Sequence, residues 1–279
     1  MSASTLHSPV LKHHFDNLGQ QHASERLGIW MFLATEVLFF GGLFGAYTVY
    51  RFYYPHEFEY ASSKLNRTIA TVNTLFLITS SLTITLGIRA AKLGRRGELI
   101  RWLLVTAGLG TAFMVMKGFE YAEDFHEKYV PGTLFRSQYG PADAELKAAA
   151  RSRQEAGLPP LTNEQIADFH FQGHYQHWTE DLAKNNAKHP LGEAGHIDAG
   201  KVQLFLCFYY IMTGIHGIHI IVGIGCILWL VWEAWRGTIP PENYSTVEVV
   251  SLYWHLVDAI WLFLMPLLYL AGAGYGGGH

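Results

Sequence analysis

The chain has 279 residues, of which half are apolar and only 15% are charged, whereas a soluble domain normally carries about 25% charged residues. Its net charge of -3 is too small to indicate nucleic acid or a polyanionic partner. The two cysteines, Cys207 and Cys226, lie in one apolar run without CxxC spacing. This spacing argues against a disulfide framework or a thiolate zinc site, and the composition favours a membrane protein.

The polar stretch of residues 1–26 opens the sequence and is rich in histidine. A cleaved secretory signal has its apolar stretch much closer to the N-terminus than the run that begins here near Leu27. Residues 1–26 also lack the Arg-rich amphipathic character of a transit peptide. We therefore expect a multi-pass protein of the bacterial plasma (inner) membrane that begins with a cytoplasmic tail.

Five runs have the roughly 20 mostly apolar residues that a helix needs to cross a bilayer. They are residues 27–50, 68–88, 102–118, 202–232 and 249–272. The third is the weakest, because Lys117 and Glu120 crowd its end, where we expect an interfacial pair. The sequence thus predicts an all-α polytopic membrane helix bundle with five transmembrane helices, grouped as residues 27–118 and 202–272.

Basic residues are concentrated in the link between the second and third spans, at Arg89, Lys92, Arg95, Arg96 and Arg101. Short loops rich in Lys and Arg are typically cytoplasmic, so we expect the N-terminus inside. The long loop of residues 119–201 is then a periplasmic insert. It contains short helical patterns that are too small to fold alone, so we expect it to rest on a neighbouring protein. The Gly-rich tail of residues 273–279 follows the fifth span.

Two acidic side chains fall inside predicted spans, Glu36 in the first and Asp258 in the fifth. Counted from the cytoplasmic end of each apolar run at 1.5 Å per residue, both lie about 12–14 Å deep. Ser80, Ser81 and His255 fall near the same layer. We expect Glu36 to be protonated there, because an ionised carboxylate in hydrocarbon is too costly. The layer is either a protonatable cluster or a hydrogen-bonded knot that fixes helix register.

Histidines in the last two spans raise the alternative of a bis-histidine haem. His219 lies about 20 Å and His255 about 9 Å from the inner edge of the apolar runs, a mismatch that argues against shared ligation. The segment that contains Thr213, His216, Gly217 and His219 fits helix packing better, because its glycines allow close approach and its polar side chains can bridge helices.

Three histidines in the insert, His170, His174 and His177, would share one face of a helix and could bind a divalent metal. No fourth ligand is evident, so we expect no metal there. The chain also lacks a phosphate-binding loop, an HExxH motif and a Ser-His-Asp pattern. By itself it offers no complete active site.

Five segments in chain order carry a family resemblance. They are LATEVLFFGG at 33–42, NT at 73–74 with SS at 80–81, FEY at 119–121, TGIHGIH at 213–219 and YWHLVD at 253–258. Together they resemble subunit III of the haem-copper terminal oxidases, in its short five-helix bacterial form. The insert is much longer than the family's usual turn at that place, so no role carries over to it.

The resemblance implies a subunit of cytochrome c oxidase that holds no cofactor of its own, with haem and copper in partner subunits. Its main partner would be the catalytic subunit I, which reduces dioxygen to water and pumps protons in aerobic respiration. Subunit II, other respiratory subunits and phospholipid would be further partners. The chain would support proton delivery, with Glu36 as the family's buried carboxylate.

Other functions remain open on the sequence. The nearest are subunit III of a quinol oxidase and the accessory subunit of a nitric oxide reductase. An independent proton-coupled transporter would need broken helices around its site, and the spans here are largely continuous, with only Pro266 interrupting. A scaffold without a proton role is the remaining alternative.

Overall fold

A computed structural model describes residues 17–126, 197–239 and 244–272, together with Phe15, Arg151 and Asn186. These residues form six α-helices and no strand. The helices are α1 (Leu18–Tyr53), α2 (Pro55–Lys64), α3 (Arg67–Lys92), α4 (Arg96–His126), α5 (Ala199–Arg236) and α6 (Ser245–Tyr269). All except α2 are long and apolar enough to span a membrane, which confirms the predicted all-α fold with five candidate spans.

Most helices extend beyond the apolar runs that predicted them. Helix α1 begins at Leu18 instead of near Leu27, and α4 continues to His126. Hydropathy marks the part of a helix that lies in hydrocarbon, whereas the helix itself continues wherever its backbone hydrogen bonds do. The short helix α2 was not predicted, because it is polar. Pro55 at its first turn is the signal that could have indicated it.

Helix α3 begins with a side-chain cap. The Asn66 Oδ1 accepts hydrogen bonds from the backbone N–H groups of Thr68 and Ile69, at 3.1 and 3.2 Å. Asn66→Ala removes this acceptor and should lower the free energy of unfolding by about 1 kcal/mol, measured from thermal unfolding in detergent. Asn66→Asp keeps the acceptor and should behave as wild type. An equal loss in both variants would contradict the cap.

Contacts divide the chain into two compact units. One comprises Met1–Ala46, Asn66–Gly118 and Met212–Leu267, and the other Tyr47–Leu65, Phe119–Ile211 and Leu268–His279. The first contains the candidate site and is built from α1, α3, α4, α5 and α6.

The core of the first unit is organised around Trp254 of α6, which is completely buried. Its Nε1 donates a hydrogen bond to the Ser80 Oγ of α3 at 3.0 Å. Its ring lies against Gly110 of α4 and Gly223 of α5. A Cβ atom at Gly110 would stand 2.7 Å from ring atom Cη2, and one at Gly223 would stand 2.8 Å from Cε3 and Cζ3. One indole thus joins four helices, and only glycine leaves room for it.

In the second unit, α2 is fixed to the end of α6. The buried Ser62 Oγ donates to the Leu268 carbonyl oxygen at 2.6 Å and accepts from the Gly272 N–H at 2.9 Å. A Cβ atom at Gly272 would overlap the Glu59 carbonyl oxygen. Ser62 therefore satisfies backbone groups at the C-terminal end of α6, where a helix leaves its last carbonyls without partners.

Helix α5 begins within the second unit and has an acidic cap there. Asp198 accepts from the Gly200 N–H at 2.8 Å and pairs with the Lys201 Nζ at 2.9 Å. Burial alone would raise the pKa of Asp198, but the hydrogen bonds from Lys201 and Gly200 outweigh it and hold the pKa below its usual range. The carboxylate therefore stays ionised at the positive end of the helix dipole.

Candidate functional site: acid and histidine pairs within the membrane helices

Glu36 of α1 pairs with His219 of α5. The distance from Glu36 Oε2 to His219 Nε2 is 3.1 Å, and both side chains are less than one fifth exposed. The other ring nitrogen, Nδ1, lies 2.8 Å from the Ile215 carbonyl oxygen. The imidazole is held further by the Phe40 ring, 5.5 Å away and edge-on. The Tyr253 hydroxyl donates to the His219 carbonyl oxygen at 3.0 Å. The pair therefore has a fixed geometry.

The hydrogen bonds of this pair fix its proton count. A carbonyl oxygen only accepts, so His219 Nδ1 carries a hydrogen and donates it to Ile215. The contact between Nε2 and the Glu36 carboxyl then needs one more proton, on either the acid or the imidazole. Both arrangements, neutral acid with neutral imidazole or carboxylate with imidazolium, have zero net charge. The pair thus holds one shared proton without placing an isolated charge in hydrocarbon.

His219 was not among the partners expected for Glu36. No hydrogen bond in the described part of the chain joins Glu36 to Ser80, Ser81, His255 or Asp258. The shared layer of these groups stays a prediction.

Asp258 is almost completely buried, with its Oδ2 3.5 Å from the Ser80 Oγ. The Ser80 hydroxyl donates to the Leu77 carbonyl oxygen at 2.8 Å and accepts from the Trp254 Nε1. A hydroxyl has one hydrogen, so the contact with Asp258 is best satisfied when the acid itself is protonated and donates. The other carboxyl oxygen, Oδ1, is buried and has no hydrogen-bond partner among the described residues.

His255 lies one helical turn before Asp258 on α6. Its Nδ1 is 2.7 Å from the Ser81 Oγ, and its Nε2 is 3.5 Å from the Thr85 Oγ1. The structure thus brings together Ser80 with Asp258 and Ser81 with His255, whereas Glu36 makes its hydrogen bond to His219. Their function stays a prediction.

The whole 213–219 segment belongs to the first unit. His216 and Thr213 are buried, and a Cβ atom at Gly217 would contact the end of the Met114 side chain at 3.6 Å. The His216 ring stacks on Trp261 at 5.3 Å and meets Phe113 edge-on at 5.8 Å. These are the contacts of helix packing.

Lys117 and Glu120, the expected interfacial pair, are both buried against other parts of the protein. In the first unit, the Lys117 Nζ lies 5.5 Å from the centre of the Trp261 ring. In the second unit, Glu120 accepts hydrogen bonds from the hydroxyls of Tyr209 and Tyr269, at 3.0 and 2.6 Å. The role of these two tyrosines could not be predicted from the sequence, because nothing in their local pattern indicates a partner on α4.

The Glu120 bonds give a stability prediction. Tyr269→Phe removes the shorter of the two, and the loss of one partner from a buried hydrogen bond costs about 1–3 kcal/mol. We expect a loss of that size in the free energy of unfolding, measured by thermal denaturation in detergent. Tyr53→Phe is the control, since Tyr53 is exposed and should change stability by no more than about 0.5 kcal/mol. Equal effects would contradict the role of the bond.

The histidines His170, His174 and His177, the helices expected in the insert and the Gly-rich tail lie outside the described residues. Among the residues that the structure describes, no group of three or more His, Cys, Asp or Glu side chains could hold a metal ion.

Comparison with known proteins shows which family this chain resembles. The sequence model of cytochrome c oxidase subunit III matches residues 201–273. Cytochrome c oxidase subunit 3 of Thermostichus vulcanus is 26% identical over 88% of this chain and 86% of its own length. The protein of the same name from Synechocystis is 26% identical over 87% of this chain and 74% of its length. The cytochrome bo(3) ubiquinol oxidase subunit 3 of Pseudomonas aeruginosa is 22% identical over 98% of this chain and 100% of its length.

The candidate spans and these relatives together define a multi-pass membrane protein. The family model and these relatives confirm the resemblance to subunit III of the haem-copper oxidases that the motifs indicate. A subunit III is part of a multisubunit oxidase, so the resemblance implies partner subunits. The relatives include both cytochrome c and quinol oxidase subunits.

Proposed function

We propose that this chain is the non-redox subunit III of a proton-pumping cytochrome c oxidase, where it supports assembly, lipid binding and proton delivery in aerobic respiration. The observation that carries the proposal is the Glu36–His219 pair. It joins the 33–42 segment to the 213–219 segment, and it holds one shared proton at membrane depth. Haem and copper belong to the partner subunits, and relatives named cytochrome c oxidase support this oxidase type.

Helix α1 supplies the surface for the main partner, the catalytic subunit I. Only 11% of its most apolar stretch is buried, against 56% in α6. Leu38 is 75% exposed, and a Cβ atom at Gly41 or Gly45 would meet nothing within 4 Å. Small residues with no neighbour leave room for the close approach of a second membrane helix. Subunit II and other respiratory subunits complete the assembly, and phospholipid covers the remaining apolar surface.

The protein resides in the bacterial plasma membrane with its N-terminus in the cytoplasm. The basic residues at the end of α3 and the start of α4 support this orientation, because such residues concentrate in cytoplasmic loops. The insert of residues 119–201 then faces the periplasm. Protease added only to the periplasmic side should cleave it, whereas cleavage from the cytoplasmic side would invert this topology.

Purification of the native complex through a tag on this chain tests the function. We expect haem absorption and oxygen consumption with reduced cytochrome c as the electron donor. The haem should remain with the other subunits when this chain is removed. A stoichiometric haem spectrum in the isolated chain would contradict the non-redox role.

A quinol oxidase subunit III is the second candidate. It is favoured by the ubiquinol oxidase relative, which aligns over its entire length with 98% of this chain. Oxygen consumption by the same complex with a quinol, and none with reduced cytochrome c, would decide for it.

A further inference from the structure

Two neighbouring cavities lie along α3 and α6 in the first unit. One, of about 430 Å³, is lined in part by Thr74, Ser81 and Asp258. The other, of about 590 Å³, lies where α1 and α6 begin and α3 ends, and is lined in part by Glu25 and Glu248. Thr85 and His255 line both cavities. These two residues therefore stand between a charged cavity at the helix ends and a cavity that reaches a buried acid.

The second cavity is rich in titratable and charged groups. From α1 it has His22, Glu25 and Arg26, and from α6 it has Glu248. Glu248 pairs with the Lys92 of α3 at 3.0 Å, and Glu25 accepts from the Ser245 Oγ at 2.7 Å. Carboxylates near the ends of membrane helices are accessible to water and can collect protons. This cavity therefore has the composition of a proton entry.

The imidazole of His255 is oriented between the cavities by its two hydroxyl neighbours. Ser81, at Nδ1, lines only the cavity that contains Asp258, whereas Thr85, nearest to Nε2, lines both. Nδ1 thus faces a residue of the Asp258 cavity, and Nε2 lies nearest to a residue that the two cavities share. A neutral imidazole has one donor and one acceptor nitrogen, so a proton can enter at one nitrogen while another leaves at the other.

Asp258 is the terminal group of this arrangement. Its carboxyl lines the first cavity and contacts Ser80, and its Oδ1 has no partner among the described residues. Buried polar groups are rarely left unpaired, and ordered water usually satisfies them. The cavity beside it is lined mainly by apolar side chains, but it has hydroxyls at Thr74 and Ser81 and is large enough for such water.

We propose that α3 and α6 form a proton route in which His255 relays protons between the charged cavity and Asp258. A proton from the entry side binds the free ring nitrogen, and the proton on the other nitrogen leaves through the Ser81 hydroxyl and cavity water to the Asp258 carboxylate. Transfer in the reverse direction returns Asp258 to its ionised form, so no oxidant or other co-reactant is needed. The inference deepens the proton role proposed above and rests on it for its physiological meaning.

Hydrogen–deuterium exchange of the Asp258 carboxyl tests the route. The complex purified through this chain, in lipid nanodiscs, is transferred from H₂O to D₂O while the carboxylic C=O band is followed by infrared spectroscopy. Asp258→Asn should remove one of these bands, and that band is then assigned to the Asp258 carboxyl. In wild type that band should shift promptly, and His255→Phe should slow the shift about tenfold or more. The measurement involves no electron transfer. Its outcome therefore does not depend on whether the electron donor is cytochrome c or quinol.

Two further variants separate a relay from a structural effect. His255→Gln keeps a hydrogen bond to Ser81 but has no ring to pass a proton through, so it should also slow the exchange. His56→Phe replaces an exposed histidine of α2, outside both cavities, and should exchange as wild type. The proposal is wrong if Asp258→Asn removes no band, if His255→Phe leaves the rate unchanged, or if His255→Gln restores it.

Discussion

Gly223→Ala is expected to lower the free energy of unfolding by about 1–3 kcal/mol, the usual cost of an added methyl group in a packed core. The new Cβ atom would lie 2.8 Å from the Trp254 ring, which also meets Gly110 on its other side and is tied to Ser80. The indole therefore cannot move aside without losing its hydrogen bond. Gly110→Ala should have a similar effect, and the double variant should fail to assemble. Thermal unfolding in detergent measures the stability of each variant, and the yield of purified complex measures its assembly.

Matched glycines on the same two helices serve as controls. A Cβ atom at Gly225 or Gly108 would meet nothing within 4 Å. Gly225→Ala and Gly108→Ala should keep or slightly raise stability, because alanine is favoured over glycine in a helix interior by about 0.5–1 kcal/mol. If these variants are destabilised as much as Gly223→Ala, the Trp254 contact is not the cause.

Removal of one partner from the Glu36–His219 pair is the second change with a large expected effect. His219→Leu leaves the Glu36 carboxyl within the membrane without its hydrogen-bond partner. Loss of one partner of a buried ion pair costs about 3–5 kcal/mol, and loss of a neutral hydrogen bond about 1–3 kcal/mol. We expect a loss within these limits, measured by thermal unfolding of the purified complex, and a lower yield of complex.

A double-mutant cycle separates the pair from its surroundings. Glu36→Leu combined with His219→Leu removes both polar groups and should be less destabilised than the sum of the single variants. Glu36→Gln keeps a donor for His219 Nε2, so assembly should survive. If the shared proton takes part in proton delivery, this variant should show a modest loss of oxidase turnover or of proton-pumping efficiency. Additive single effects would contradict direct coupling of the two side chains.

The five spans and their order could be predicted from the sequence, because the length and hydropathy of each apolar run follow directly from the thickness of a bilayer. The pairing of Ser80 with Asp258 also follows from depth. The Glu36–His219 hydrogen bond was not predicted, because hydropathy indicates which residues lie in the membrane but not which way a side chain points around its helix.

The partners of individual side chains were harder to predict, because they depend on how each helix is rotated against its neighbours. Helix α5 is an example. Its buried positions recur every three or four residues, at Tyr209, Met212, His216, Ile220, Gly223, Ile227 and Leu230. Its exposed face is apolar as well, with Ile211, Ile218 and Val222, so the sequence does not distinguish the two faces. Side-chain pairs between distant segments require the three-dimensional structure.

The attachment of α2 to the end of α6 has a consequence for biosynthesis. The two hydrogen-bonded residues, Ser62 and Leu268, are 206 positions apart. At a synthesis rate of roughly 5–20 residues per second, the ribosome reaches Leu268 about 10–40 s after Ser62. During that interval the short helix emerges from the ribosome but lacks its final partner. The second unit therefore closes late, and a ribosome that stalls before the last helix leaves Ser62 without the backbone groups it is built to bind.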